Sequence, residues 1–300
     1  MRGKPRTEAA LIPADGSPTA LMHGRERVIG VPYALPADLE EINRLDFQHY
    51  LLRHAFQGNY AAPIANPQSI LDVGTGTGRW AIEMAQIFPS ANVIGLDVKP
   101  PAVDERAQNN QGPDPRPANY AFAPGNVLEG LPFADGTFDF VHQRLLFSAI
   151  PHDRWPWVVA ELARVTRPGG WVELVETLGF INGGPHIEQI RAWMGQFSAR
   201  RGVDGRDGSR VEEFLRGAGL SNVVSRRVDL PTGAYGGRIG ALLATDCISV
   251  FRGYGGIVVA QGYATQEHWD QMLAGVQADL NSPSIKCIIP FFIAYGQRPG

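Results

Sequence analysis

Three glycines at alternate positions, Gly74, Gly76 and Gly78, break the stretch SILDVGTGTGRW between residues 69 and 80. The apolar run before them, Ile70 to Val73, reads as a strand, and RWAIEMAQIF after them as a helix. Glycines at a strand-to-helix turn admit a ligand to the backbone more closely than a Cβ would permit. Asp72 stands just ahead of this turn and Thr75 inside it. About 20 residues past the glycines, Asp97 and Val98 close a second apolar run, ANVIGLDV; a carboxylate at that strand tip can accept both hydroxyls of an unphosphorylated ribose. Glycine turn and carboxylate together point to a nucleoside-bearing ligand. The P-loop pattern GxxxxGK[ST] is absent, in spacing and in its lysine. The dinucleotide pattern GxGxxG is also missed, because the third glycine falls one residue early and Arg79 stands where it belongs.

The elements that must position these groups alternate. Strands are expected at 69–74, 91–98, 118–124, 137–143 and 171–177, with helices at 79–87 and 153–166 between them. Near-continuous apolar runs joined by short turns predict parallel strands buried on both faces. Later strands at 221–231 and 286–297 complete the expected fold. It is α/β, a Rossmann-like, doubly wound, mostly parallel seven-stranded sheet, with N-terminal helices and a helical insertion between the last two strands. The expected organisation is a flexible segment over 1–30, cover helices over 31–66, a ligand-binding core over 67–178, and a C-terminal part over 179–300. Within the last part, residues 232–285 exceed a plain connection. They read equally as a cap over the ligand site and as a helical buttress on the sheet.

The pattern DxGxGxG from Asp72 to Gly78 resembles motif I of the class I S-adenosylmethionine (SAM) methyltransferases. The segment APGNVLEGLPFADGTFDFVHQRLL and the turn and strand TRPGGWVELVE are similar to the same superfamily. RLDFQHYLL, SILDVGTGTGRWAIEMA and FPSANVIGLDV resemble a subgroup of microbial secondary metabolism, including fungal LaeA-type methyltransferases; the match covers roughly residues 36–178 and the end FIAYGQRPG. The departures are Asn126 where the family usually has Asp, and VHQR for the more frequent IHxR. The resemblance implies SAM as cofactor. It also implies roles for Asn126 on the adenine amino group, Val127 on the ring edge, and Gln143 and Arg144 near the methionyl part.

Methyl transfer from a sulfonium is an in-line displacement that needs positioning and exclusion of water. A hydroxyl or carbon acceptor also needs a base. His152, at a helix start, and His49, on the helix leading into motif I, are the candidates for that base or for substrate positioning. Gln48, beside His49, and Tyr33, in GVPYALP, are candidates for closing over the cofactor.

Composition narrows the function classes. The net charge of −3 and the absence of a basic stripe argue against a nucleic-acid partner, as does the lack of a (D/N)PPY sequence. No apolar run reads as a membrane span of about 18 residues. Cys247 and Cys287, far apart, read as reduced thiols of a cytoplasmic protein, and no acidic cluster suggests a metal. The expectation is a methyltransferase acting on a small molecule, plausibly a bulky natural-product intermediate. Whether carbon, oxygen or nitrogen accepts the methyl, and whether rearrangement or cyclisation is coupled to it, stays open. A SAM-binding regulatory protein and an NAD-dependent oxidoreductase are the alternatives. The weakly anchored N-terminus makes a homo-oligomer plausible, with that segment at the interface.

Overall fold

The computed structural model describes residues 19–22, 24–29, 33–101 and 116–300. The chain runs β1 (Thr19–Met22), β2 (Arg25–Val28), α1 (Leu39–Phe56), β3 (Ser69–Val73), α2 (Arg79–Ile87), β4 (Asn92–Asp97), β5 (Tyr120–Pro124) and β6 (Phe138–Arg144). It continues through α3 (Trp155–Val165), β7 (Thr166–Thr177), α4 (Pro185–Ala199), α5 (Val211–Gly217), β8 (Ser221–Pro231), α6 (Gly237–Ala260), α7 (Gln266–Asn281) and β9 (Ile288–Gln297).

Seven strands form one sheet in the order β5-β4-β3-β6-β7-β9-β8. The pairings among β5, β4, β3, β6 and β7 are parallel, and β9 is antiparallel to both its neighbours. The strand order reverses between β3 and β6, and in open α/β sheets ligands bind outside the carboxyl ends of the strands at that switch point. Residues 70–73 of β3 are buried, as a central strand covered on both faces must be. Trp80, Met84 and Phe140 pack in one core cluster, and Trp155, Leu162 and Phe138 in another.

Of the cover helices expected over 31–66, one forms among the described residues, α1. The Asp38 carboxylate caps its start by accepting from Glu41 N at 3.2 Å, and Gln57, at φ 62°, ends it. Strand β7 begins at Thr166 rather than 171, because Thr166 pairs with Phe138 across a register shift. Only the first eighteen residues and a few others of the segment expected to be flexible lie outside the described residues. Residues 19–22 and 25–28 pair as antiparallel strands, β1 with β2. This pair is tied down by Arg27, which is buried and donates to the carbonyls of Ala34 and, at 2.9 Å, of Gly253 in α6.

The insertion folds as α6 and α7. Leu51 and Leu52 of α1 share a core cluster with Leu243 and Phe251 of α6 and Trp269 of α7. Contrary to the expectation that no run reads as a membrane span, the segment Ala234–Ala260, whose most apolar window has mean hydropathy 1.4, is by length and composition long and apolar enough to cross one. In the fold, 56% of its most apolar window is buried.

Candidate active site

The glycine turn is a clamped loop. Gly74 N and Thr75 N both donate to Leu96 O, at 2.8 and 3.0 Å, which fastens the turn to β4. Gly74 and Gly76 lie at φ 71° and 56°, in the left-handed region where a Cβ is costly. A Cβ on Gly74 would also stand 2.6 Å from Leu146 Cδ2. Asp97, at the tip of β4, accepts from Gly76 N at 2.8 Å and from Val98 N at 2.7 Å. Burial pushes its carboxyl above the ordinary range although these donors oppose the shift. Asp72 accepts from Thr75 Oγ1 at 2.7 Å and lies 2.9 Å from His142 Nδ1. His142 in turn stacks flat on Trp80, with ring centroids 3.8 Å apart.

These groups border a cavity of about 230 Å³ at the carboxyl ends of the strands. From the sheet side it is lined by Asp72, Gly74, Thr75, Gly76, Asp97 and Val98, then by Asn126, Val127 and Arg144. Gln48 and His49 of α1 and Tyr33 of the segment before it line it from above. Twelve of the residues singled out in the sequence thus converge. The Asn126 amide is already oriented: Oδ1 accepts from Leu128 N at 3.0 Å and Nδ2 donates to Glu129 Oε1 at 2.9 Å. That leaves one oxygen lone pair open.

Three residues do not line the cavity. Gly78, at φ 74°, is the N-cap of α2, and a Cβ there would meet the Tyr120 hydroxyl at 3.1 Å. Gln143 is fully buried between His142 and Arg144; side chains alternate along a strand, so it points to the opposite face from both. It donates instead to Glu176 Oε1 at 3.3 Å. The same carboxyl accepts from Leu146 N and Phe147 N, at 2.9 and 3.1 Å, and burial pushes it up to about 8 against these donors. Gln143 therefore shapes the loop after β6, where Leu145 sits at φ 59°. His152, half exposed in a short 3-10 turn, pairs with buried Asp207 at 2.9 Å. Its position removes it from the candidates for a base.

His49 is in the cavity wall but is engaged. Arg144 Nη2 lies 3.1 Å from its Nδ1, and a guanidinium can only donate, so Nδ1 accepts and Nε2 carries the proton. Nε2 faces Glu83 Oε2 at 3.1 Å. Burial, then the Arg144 charge, push the imidazole down to about 4, so it is neutral at neutral pH. In this arrangement His49 holds Arg144 rather than offering an open lone pair.

Among the described residues, none beyond 178 lines the cavity. The insertion acts as the buttress and holds α1 through a buried network. Arg44 binds Glu41 with two bonds, 2.8 and 2.6 Å, and reaches Asp246 of α6 at 3.0 Å. Gln48 Nε2 donates to the other Asp246 oxygen at 2.9 Å. Sequence reasoning missed Leu45, Glu41, Lys99, Leu145, Leu146 and Ile150 in the wall. Leu45 was within reach, since it lies three residues before Gln48 on one helix face. Leu145 and Leu146 depend on a left-handed non-glycine residue with no sequence signature.

A family model described as a methyltransferase domain matches residues 70–170. Methyltransferase str2 of Strobilurus tenacellus is 32% identical over 209 residues, covering 67% of this chain and 71% of that protein. N-methyltransferase sirN of Leptosphaeria maculans is 28% identical over 281 residues, covering 89% and 95%. Among solved structures, phosphoethanolamine N-methyltransferase 2 of Haemonchus contortus matches with a TM-score of 0.48 and 16% identity, over 86% of this chain and 52% of that one. With the strand order, the glycine turn and the relative matched at 32% identity all in agreement, the chain belongs to the class I SAM-dependent methyltransferase family.

Proposed function

We propose that the chain transfers the methyl group of SAM to a small molecule, with both held in the cavity between the sheet and α1. The cavity's residues fit SAM. Gly74 and Gly76 carry left-handed backbone in the cavity wall, where a side chain is costly, Asp97 offers a half-buried carboxylate to ribose hydroxyls, and Asn126 and Val127 would meet the adenine. Arg144, held by His49, carries the positive charge suited to the methionyl carboxylate. Bound SAM supplies an activated methyl on sulfur, so the protein's work is to orient the acceptor and exclude water. Leu45, Leu145, Leu146 and Ile150 give the remaining wall an apolar part, which suits a partly apolar acceptor. Two relatives bear on this reading: str2 is named a methyltransferase and sirN an N-methyltransferase, both from fungi.

The observation that carries the reading is the joint placement of the glycine turn, Asp97, Asn126 and Arg144 in the wall of one cavity. Calorimetric titration with SAM, S-adenosylhomocysteine and NAD tests it. SAM and its product should bind in the micromolar range, and Asp97→Ala should weaken both at least tenfold, an effect of about 1.4 kcal/mol or more. Binding of NAD in preference to SAM, or SAM affinity untouched by Asp97→Ala, would overturn it.

A further inference from the structure

Asp72, His142 and Glu173 stand opposite one another on three adjacent strands. The register pairs Asp72 of β3 with His142 of β6, and His142 with Glu173 of β7, so all three side chains leave the same face of the sheet. All three are buried, and the His142 ring lies flat on Trp80 of α2.

The hydrogens on this row can be assigned. Asp72 Oδ1 lies 2.9 Å from His142 Nδ1; a carboxylate only accepts, so Nδ1 carries a hydrogen. Glu173 Oε2 accepts from Ala61 N and Ala62 N, both at 2.7 Å. Among the described residues, His142 Nε2, Glu173 Oε1 and Asn59 Oδ1 are buried with no hydrogen-bond partner. The same three residues border one small cavity of about 10 Å³, about the room a single water needs. The two oxygens are acceptors, so this group lacks a donor unless Nε2 carries a hydrogen too. With both nitrogens protonated, the ring is an imidazolium between two carboxylates, on an indole face that favours cations. Burial pushes the Glu173 carboxyl up, and the His142 charge is the first influence to oppose that shift.

His142 and Arg144 border both this cavity and the larger one. Arg144, on the same strand, opposes protonation of the ring. Glu83 of α2 is engaged by Arg53 at 2.6 Å, His49 of α1 is neutral, and Arg226 of β8 lines the small cavity but is exposed. The two carboxylates of the row are therefore the groups that hold a proton on His142.

We propose that His142 carries a proton between Asp72 and Glu173 in the free protein and releases it when a sulfonium occupies the larger cavity, so that the site takes SAM in exchange for a proton. This rests on the methyltransferase reading above. Two like charges beside one cavity of about 230 Å³ repel through a medium of low dielectric, and the imidazolium is the one that can shed its charge. On methyl transfer the acceptor forms the new bond to carbon, and sulfur keeps the pair of the broken S–CH₃ bond as a neutral thioether. The proton that an O–H or N–H acceptor sheds balances the one that His142 regains.

Calorimetric titrations in two buffers of different ionisation enthalpy read the protons released per ligand bound. At pH 6.5 the α-amino groups of SAM and S-adenosylhomocysteine both stay protonated, so the ligands differ at the sulfonium alone. Wild type should release at least about half a proton more with SAM than with S-adenosylhomocysteine. His142→Asn removes the titrating group and should abolish the difference. Glu173→Gln keeps an acceptor for Ala61 N and Ala62 N and presents an amide N–H that favours the neutral ring. It should cut the difference by about half or more, and it carries the test if His142→Asn does not fold. Equal proton counts in wild type, or a difference that the variants retain, overturns the exchange and leaves the methyltransferase reading standing. Failure of wild type to bind either ligand overturns both.

Discussion

His49 shows how one side chain can read as a base in sequence and as a strut in structure. An imidazole that is 2% exposed and faces a guanidinium resists protonation. Its value falls from 6.5 in the unfolded chain to about 4 in the fold. Below 6.5 the unfolded chain takes up a proton that the fold refuses, so this group's stabilisation is complete above that pH and is lost as pH falls towards 4. Chemical denaturation at pH 7 and pH 5 should show wild type losing about 2 kcal/mol from this source. The His49→Gln variant should have the shallower pH dependence; equal slopes would contradict the pairing with Arg144. His152 is the counterpart outside the cavity wall. His152→Ala should leave SAM affinity within about twofold, because neither His152 nor Asp207 lines the cavity. It should cost about 1 kcal/mol in unfolding, through the hydrogen bond lost to buried Asp207.

Between elements, the network from Glu41 through Arg44 to Asp246 decides how α1 sits over the sheet. The side chains of Arg44 and Asp246 are only 6% and 8% exposed. Removing the cation leaves two carboxylates buried without their partner, a situation that costs about 3–5 kcal/mol. Arg44→Met should lower unfolding stability by that amount and weaken SAM binding as well, because Gln48 and Leu45 ride on the same helix. Normal SAM affinity in a destabilised Arg44→Met protein would show that α1 does not depend on α6 for its position. The glycine turn, by contrast, is held by the sheet itself, through Leu96 O and Asp97.

For the whole molecule, SAM binding links the sheet, α1 and the β1–β2 pair, because Val28, Gln48 and Asp97 border one cavity. A ligand that binds only the folded state at a hundred times its dissociation constant stabilises it by about 2.7 kcal/mol. For a chain of this size that should raise the melting midpoint by roughly 5 °C. No shift with saturating SAM, in a protein that binds it by calorimetry, would mean that the unfolded chain binds it too. The insertion between β8 and β9 belongs to this level. Its helices pack on α1 with Leu243, Phe251 and Trp269, so its size contributes to holding α1 rather than to the cavity wall.

Much of the site was legible in the sequence because strand–turn–helix chemistry is local. Helix α2 and strand β8 run over the residues that periodicity predicts. The groups following β3, β4 and β5 meet because parallel strands bring their carboxyl ends to one edge. What only the tertiary structure decided depends on contacts distant in sequence. The parity of β6 sends Gln143 away from the cavity while its neighbours face it. Asp207 draws His152 aside from 55 residues further along. The insertion proves a buttress because Asp246 meets Arg44 across 202 residues. The sequence determined a parallel sheet, a glycine turn and a carboxylate at the next strand's tip, because each follows from short-range spacing. Folding alone decided which polar groups remain open in the cavity, because an engaged lone pair is a property of its partner as much as of its own residue.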